Sequence, residues 1–238
     1  MRNKRFNVVA NVLILSMLAV LFYVTTYYGT VITASSNVEK PFYRGEGKEK
    51  VVSLMINVYW GTEYIEDMLA VFDKYGYKTT FFIGGSWAEK NYELVNKIVE
   101  KGHELGNHGY LHKDHSKLSY NVNYDEINMT NKLLKNFTGK DVKLFAPPSG
   151  AYCNDTLKAA KNLGMTTIMW SKDTIDWRDK DKNVTFTRAT KNLTCGDLIL
   201  AHPTKHTLEA LDSILGYYKA NGFRCVTVSE NVGVKNNI

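Results

Sequence analysis

The segment GHELGNHGYLH, residues 102–112, carries the most informative pattern in this sequence. It places two histidines, His108 and His112, four positions apart in a glycine-containing context. Two imidazoles at this spacing can bind one divalent metal ion if the turn between them is helical or tightly curved. The alternative is a pair of exposed loop histidines, and the nearby His115 is interpreted as one of that kind. His103 is expected to have a structural role at the start of a strand.

Strand-like and helix-like stretches alternate on both sides of this segment. Residues 51–58 and 79–83 predict buried strands, and an apolar stripe at helical spacing between them predicts a helix that ends near Gly76. The alternation continues with helices predicted at 94–102, 124–137, 157–163 and 208–222, and with strands predicted at 142–145, 166–170, 198–201 and 224–228. This order of elements predicts a parallel α/β sheet or barrel.

Polar side chains follow several of the predicted strands at the point where each strand ends. They include Asn57, the pair Asp173 and Asp176, and His202. Because functional sites of parallel barrels lie at the carboxyl ends of the strands, these residues are expected to converge. A histidine in the position of His202 is well placed as a general acid, provided that a carboxylate orients it and stabilises its charge.

Two further segments add candidate binding groups. Residues 170–177, WSKDTIDW, set two carboxylates beside two indole rings. Indole faces suit stacking on sugar rings, although packing in a core is their commoner use. Residues 145–150, FAPPSG, predict a rigid loop, with an ordinary turn as the alternative.

These segments, in this order, resemble the polysaccharide deacetylases with NodB homology, carbohydrate esterase family 4. Residues 102–112 match the family motif GHE-(I/L)-GNH-xxx-H, and the resemblance extends over about residues 51–230. The remaining family motifs are resembled by residues 79–85 (TFF), 147–150 (R-P-P-Y-G), 173–177 (D-x-x-D-W) and 198–202 (the last strand with its terminal histidine). The tetrapeptide at 58–61 is similar to the spore-former subgroup, which suggests a link to sporulation.

The resemblance implies a distorted (β/α) barrel that hydrolyses N-acetyl groups of cell-wall or spore polysaccharide, either peptidoglycan or a chitin-like polymer of GlcNAc or MurNAc. Family members use a divalent metal, commonly zinc, with cobalt as an alternative; the ion polarises the amide carbonyl and activates water. By resemblance, His108 and His112 would be metal ligands, and His202 would be the general acid. Asp173 or Asp176 would orient that acid. Substrate contacts would come from Trp177, Pro147, Pro148 and Tyr152.

The sequence departs from the family pattern at one end of the site. The first motif, T-F-D-D, is replaced by residues 55–58, so that Asn57 stands at the position of the base and Val58 at that of a metal ligand. An amide is not basic near neutral pH. Ala146 occupies the position of an arginine that, in the family, pairs with the base. Because both the aspartate and the arginine are absent, neither is left as a buried, unpaired charge.

Two interpretations of this departure remain open. Glu63 could substitute as a base or third ligand, although a glutamate in the first turn of a helix is also favoured by the helix dipole. In that case the protein is a divergent deacetylase of reduced or altered activity. The alternative is a catalytically inactive, polysaccharide-binding pseudoenzyme with a deacetylase fold.

The N-terminus predicts export. Arg2, Lys4 and Arg5 precede an apolar run of about 20 residues, which is long enough to cross a bilayer. The basic cluster predicts that the N-terminus stays inside, so that the domain is extracytoplasmic on a single-pass cell-membrane protein. A cleaved signal peptide, which would give a secreted protein, is the alternative. The predicted organisation is an anchor or signal segment at 1–34, a linker at 35–50 and the deacetylase-type domain at 51–238.

The net charge of +6 is spread along the chain. No basic helix or stripe that alternates basic and aromatic residues accompanies it, so a nucleic-acid partner is not expected. An acidic wall polymer or a membrane surface fits this charge better. The three cysteines form no CxxC pair and are interpreted as small apolar residues.

Overall fold

The computed structural model describes residues 2–33 and 40–234. The chain divides into two compact units, Met1–Val38 and Glu39–Ile238. In the first unit, helix α1 spans Arg2–Thr33. Its segment Val8–Thr26 has a mean hydropathy of 2.4 over 19 residues, which is long and apolar enough to span a membrane, a property that signal sequences share.

The second unit is built on a parallel sheet curled into a half-barrel, so the predicted distorted (β/α) barrel is confirmed. Its strands run in the order β5-β4-β3-β2-β1-β7-β6, and β8 pairs with the start of β1. The strands are β1 (Val51–Val58), β2 (Thr80–Ile83), β3 (Glu104–Asn107), β4 (Leu144–Phe145), β5 (Thr166–Thr167), β6 (Lys172–Asp173), β7 (Leu198–Ala201) and β8 (Arg224–Cys225).

Helices connect the strands. They are α2 (Thr62–Tyr75), α3 (Gly85–Ala88), α4 (Tyr92–Glu100), α5 (Tyr120–Thr138), α6 (Asn154–Asn162), α7 (Asp176–Asp179), α8 (Lys182–Thr190), α9 (Lys205–Ala220) and α10 (Val228–Val232). The predicted apolar stripe of α2 is buried in the outer core, and Gly76 ends that helix in the left-handed conformation, as expected.

Alternation along β1 decides which side chains can reach the site. Successive strand residues point to opposite faces. Ile56 and Val58 therefore join the core between the sheet and the helices, whereas Met55 packs in the interior cluster of the barrel. Asn57 shares the interior face with Met55, at the C-terminal end of the strand. Ile56 pairs with Ala201 of β7, which brings Asn57 beside His202.

Part of the predicted linker belongs to the barrel. Phe42 forms a parallel bridge to Ile168, and Arg44 forms an antiparallel bridge to Asp197, so this segment spans between β5 and β7. Arg44 also pairs with the buried carboxylate of Asp197, with 2.9 Å between Nη2 and Oδ1. The folded unit therefore begins near residue 40, ahead of the boundary predicted at 51.

Candidate functional site

A cavity of about 870 Å³ opens at the C-terminal ends of the strands, where the site was expected. Its lining includes most of the predicted site residues. They are Asn57, Glu63, His108, His112, Asp173, Asp176, Trp177 and His202. Trp60, Ser149 and Trp170 also line it.

His202 and Asp176 form a buried dyad in this cavity. His202 Nδ1 lies 2.8 Å from Asp176 Oδ1, and the His202 backbone N–H donates to Oδ2 at 2.7 Å. The hydroxyl of Thr207 donates to the same Oδ2. Because the carboxylate accepts, Nδ1 carries a proton and Nε2 is left as the nitrogen available to a ligand. Burial alone would raise the pKa of Asp176, but the hydrogen bonds from His202 and Thr207 bring that pKa below its usual value.

These hydrogen bonds identify Asp176, and not Asp173, as the aspartate that holds His202. Asp173 does not reach His202; its Oδ1 accepts the backbone N–H of Ile175 at 2.8 Å and shapes the loop. Ile175 has φ 51°, an uncommon conformation for a β-branched residue. This turn starts α7 at Asp176 and aims its carboxylate at β7. Arg188 supports the loop by donating from Nη1 to the carbonyl of Thr174 at 3.0 Å.

Trp60 covers the imidazole of the dyad. Its ring stacks on His202 with centroids 5.2 Å apart and planes inclined by 16°. The following residue, Gly61, has φ 75°, and a β-carbon there would collide with the carbonyl oxygen of Pro203. Only glycine therefore allows the β1–α2 turn to approach β7 closely enough for this stacking.

His108 and His112 lie close together at a tight turn without helical structure. Their ring centroids are 5.1 Å apart. His108 Nδ1 donates to the carbonyl of Ala146 at 2.7 Å, which leaves Nε2 as a lone-pair nitrogen. Burial, with a smaller contribution from His112, lowers the pKa of His108 to about 3. Burial also lowers the pKa of His112. Both rings are therefore neutral at physiological pH.

Glu126 on α5 holds the loop between these histidines. Its Oε2 accepts the backbone N–H groups of Tyr110 at 3.0 Å and Leu111 at 2.8 Å, and Oε1 pairs with Lys113 at 2.8 Å. The sequence analysis missed this residue. One feature of the sequence points to it: Glu126 is an acidic residue on the buried face of α5.

The interpretation of His115 as an exposed residue is wrong. The side chain is fully buried, and Nδ1 donates to Asn123 Oδ1 at 2.6 Å. A β-carbon at Gly109 would lie 2.9 Å from His115 Nε2. The ring thus packs beneath the histidine loop and supports it. The expectation that His103 is structural agrees with its position: its Nδ1 accepts the Thr79 backbone N–H at 3.2 Å.

At position 57, where the resembled family has its base, the side chain is an amide that does not ionise. Asn57 is only 3% exposed, and its Oδ1 has no hydrogen-bond partner among the described residues. Val58 points into the outer core, away from the cavity. Ala146 is fully buried and contributes its carbonyl to His108.

The donor set does not fit a catalytic zinc ion. Catalytic zinc sites use three protein ligands and keep one position open. Within residues 2–33 and 40–234, no three His, Cys, Asp or Glu side chains come together in an arrangement that could hold a metal. Glu63 lines the cavity but belongs to no such group, so the two imidazoles of His108 and His112 remain as the candidate ligands, and they are too few for a catalytic zinc site.

Of the four residues predicted to contact substrate, only Trp177 lines the cavity. Trp177 lines the cavity and is 52% exposed. Pro147 and Pro148 do not line it; Pro148 packs near Gly109, and the next residue, Ser149, reaches the cavity in their place. Tyr152 lies outside the lining and shares a 2.9 Å hydrogen bond with the hydroxyl of Tyr43.

Comparison with known proteins identifies similar chains. The family model for polysaccharide deacetylase matches residues 44–168. The uncharacterised protein YlxY of Bacillus subtilis is 39% identical over 80% of this chain and 60% of its own length. The peptidoglycan-N-acetylmuramic acid deacetylase PdaA of the same organism is 29% identical over 79% of this chain and 74% of its own length.

The solved structures that resemble this chain include that of a pseudoenzyme. BA3943 of Bacillus anthracis, described as a CE4 family pseudoenzyme, superposes with a TM-score of 0.79 and 37% identity, covering 81% of this chain and 68% of that one. A mutant of that protein is described as having restored enzymatic activity. The chain thus spans about three fifths to three quarters of the length of these relatives.

Proposed function

Because this chain belongs to the polysaccharide deacetylase family, we propose that it binds N-acetylated cell-wall glycan in its cavity without hydrolysing it. The ligand class is peptidoglycan or a related GlcNAc- or MurNAc-containing polymer. Several relatives are named as peptidoglycan deacetylases, and BA3943 is named as a pseudoenzyme. The family fold and the cavity support binding; the chemistry that lines the cavity argues against turnover.

The observation that carries this proposal is the buried amide of Asn57. Amide hydrolysis needs a group that takes a proton from water, and loss of a positioned base typically costs about 10²–10⁴ in rate. Asn57 cannot take that proton, and its neighbour Val58 is directed into the core. Two imidazoles alone bind zinc weakly, so this ligand set does not compensate for the missing base.

Aromatic side chains support the binding half of the proposal. Trp60 and Trp177 are 43% and 52% exposed while lining the cavity. Large apolar surfaces left open beside convergent polar groups are typical of ligand sites. Sugar rings present apolar faces that pack on indoles and hydroxyl groups that hydrogen-bond to polar groups nearby.

A weak deacetylase is the second candidate function. The dyad of His202 and Asp176 favours it, since this arrangement is suited to delivering a proton to a leaving amine. Under this alternative Glu63 would have to move toward the histidine pair.

We place the domain outside the cytoplasmic membrane. The apolar helix α1 supports an anchor or a signal segment, and the family acts on wall polymers. The net charge of +6 would favour association with an anionic wall.

Co-sedimentation of the detergent-solubilised full chain with purified, N-acetylated peptidoglycan sacculi tests the binding proposal. Trp177→Ala should weaken binding at least about fivefold, because a central aromatic contact is worth about 1 kcal/mol or more. Tyr92→Ala is the matched control: Tyr92 is 51% exposed but does not line the cavity. Equal binding by the two variants and the unmodified chain would contradict the proposal.

A further inference from the structure

Two tyrosines outside the cavity form a contact that the proposed function does not use. The hydroxyls of Tyr43 and Tyr152 share a hydrogen bond of 2.9 Å, although the two residues are 109 positions apart in the sequence. Tyr43 is 46% exposed and Tyr152 is half-buried. Single exposed aromatic side chains are common, so the significance of this pair depends on how it is held and where it lies.

The backbone on both sides of Tyr43 is fixed by the barrel. Phe42 forms a bridge to Ile168 and packs on the interior cluster, and Arg44 forms a bridge to Asp197. Tyr43 lies between these two anchored residues, so its backbone is in place before any ligand arrives. A tyrosine side chain has few rotatable bonds and therefore loses little conformational entropy when it contacts a ligand. The exposed ring is a preorganised contact surface.

The pair lies at the end of the barrel where the cavity opens. Tyr152 belongs to the loop between β4 and α6, which leaves the C-terminal end of β4. Ser149 of the same loop lines the cavity. A β-carbon at Gly150 would lie 2.8 Å from Cη2 of Trp170, which is another lining residue. The loop therefore leads from the cavity wall to the tyrosine pair within three residues, and a polymer that occupies the cavity can extend to this pair.

A neutral sugar complements the chemistry of the pair. The hydrogen bond between the two tyrosines uses one hydroxyl hydrogen, so the other can be donated to a sugar oxygen, and both oxygens can accept from sugar hydroxyls. The exposed face of the Tyr43 ring can pack on the apolar face of a sugar ring. The hydrogen bond with Tyr152, with a smaller contribution from burial, raises the pKa of Tyr43, so its hydroxyl is uncharged at physiological pH.

We propose that Tyr43 and Tyr152 form an outer sugar-binding site, which holds a further sugar of the same glycan chain that enters the cavity. This inference rests on the proposed function and adds a second contact outside the cavity. Tyr43 precedes residues 44–168, which the family model matches, so the segment ahead of the matched residues supplies part of this site. A site of this kind makes the protein prefer long glycan chains to short oligosaccharides.

Calorimetry with the full chain in detergent compares the GlcNAc trimer with the GlcNAc hexamer. The trimer is short enough to be held by the cavity alone, whereas the hexamer can extend to the tyrosine pair. The hexamer should bind at least about fivefold more tightly, as expected for one additional aromatic contact. A longer oligomer also offers more registers to the cavity, so the comparison is repeated in variants, for which the number of registers is the same.

Variants assign the gain to the tyrosine pair. Tyr43→Ala should weaken hexamer binding about fivefold and leave trimer binding unchanged, because only the outer contact is removed. Tyr43→Phe should retain most of the gain, since the face of the ring remains. Tyr152→Ala provides the same comparison if Tyr43→Ala does not fold. Tyr92→Ala is the matched control and should change neither affinity: Tyr92 is 51% exposed, lies on α4 and does not line the cavity.

The outcomes separate this inference from the proposed function. Equal weakening of trimer and hexamer binding in a folded Tyr43→Ala variant would overturn the inference, because Tyr43 would then only support the cavity. Unchanged hexamer binding in that variant would overturn it as well. Both results would leave glycan binding in the cavity intact. Failure of both oligomers to bind the unmodified chain would overturn the proposed function and the inference together.

Discussion

At the scale of single residues, Asp176 and Asn57 define two unequal sides of the cavity. Asp176 accepts four hydrogen bonds, from the backbone and ring of His202, the hydroxyl of Thr207 and the backbone N–H of Trp177, and so fixes both the backbone and the ring of His202. Within residues 2–33 and 40–234, no hydrogen-bond partner contacts Asn57 Oδ1. The group that could deliver a proton, His202, is therefore held by several hydrogen bonds, whereas the position of the group that would remove one is filled by a neutral amide.

The missing carboxylate predicts how one substitution changes metal binding. Asn57→Asp would place a carboxylate, at the position of the family's base, in the cavity that His108 and His112 also line, so that three candidate zinc ligands would face one cavity. We expect zinc affinity, measured by competition with a chromophoric chelator, to rise at least about tenfold. Asn183→Asp, which adds the same charge on the exposed surface of α8, should leave it unchanged. Zinc binding by the unmodified chain as tight as that of Asn57→Asp would contradict this account.

The sequence singles out His108, His112 and His202 as site residues, but it does not determine every contact that they make. Asp173 and Asp176 are equivalent in sequence, and only the left-handed turn at Ile175 determines which one faces His202. The sequence analysis interprets His115 as an exposed loop histidine, whereas its side chain is fully buried. Its burial depends on Asn123, a partner on a helix whose approach no local pattern reveals.

At the scale of elements, helix α5 positions the histidine loop through Glu126. Truncation by Glu126→Ala would leave the N–H groups of Tyr110 and Leu111 without their acceptor. We expect the free energy of unfolding to fall by about 1–3 kcal/mol, and binding of the GlcNAc hexamer to weaken, because the loop carries His108 and His112. Denaturant titration and calorimetry measure the two effects.

The neighbouring residue and a conservative change provide the controls for Glu126. Asp125→Ala removes a carboxylate from the exposed side of the same helix and should change neither quantity. Glu126→Gln keeps one oxygen for the loop but loses the ion pair with Lys113, so its effect should be smaller than that of alanine. Equal stability of all three variants would show that Glu126 does not hold the loop.

Element boundaries were predicted well where periodicity was strong and poorly elsewhere. The apolar stripe of α2 gave its position and its glycine stop. The strand predicted at 166–170 is ordered as a strand only at Thr166–Thr167, because the chain turns there to bring Trp170 to the cavity. Helix α8, KNVTFTRAT, has no clear apolar stripe and was missed.

At the scale of the whole molecule, the folded unit begins within a segment whose composition predicts a linker. The stretch before β1 is polar and contains glycines, as linkers do. Its contribution is made by backbone bridges at Phe42 and Arg44, by the packing of Phe42 on the interior cluster and by the ion pair between Arg44 and Asp197. These contacts join residues next to β5 and β7, which are far apart in the sequence, so no local pattern reveals them.

Buried neutral histidines predict acid sensitivity of the folded state. Burial, with a smaller contribution from Lys78, lowers the pKa of His103 to about 4 from 6.5. Between these values the unfolded chain binds more protons than the folded one, so stability is fully present above pH 6.5 and is lost as the pH falls toward 4. His103 should account for a loss of about 2–3 kcal/mol over this range.

Unfolding experiments at several pH values check this expectation. His103→Asn retains an acceptor for the Thr79 backbone N–H but does not titrate, so the loss of stability between pH 6.5 and 4 should be smaller in this variant. A loss of unchanged size would assign the acid sensitivity to other groups.

The central claim, binding without turnover, is tested most directly by measuring both quantities on one sample. The full chain is incubated with the GlcNAc hexamer and either zinc or cobalt, and bound hexamer and released acetate are determined together. We predict saturable binding with acetate no higher than in a blank without protein. Acetate release that rises with protein concentration and disappears in the His202→Ala variant would contradict the account.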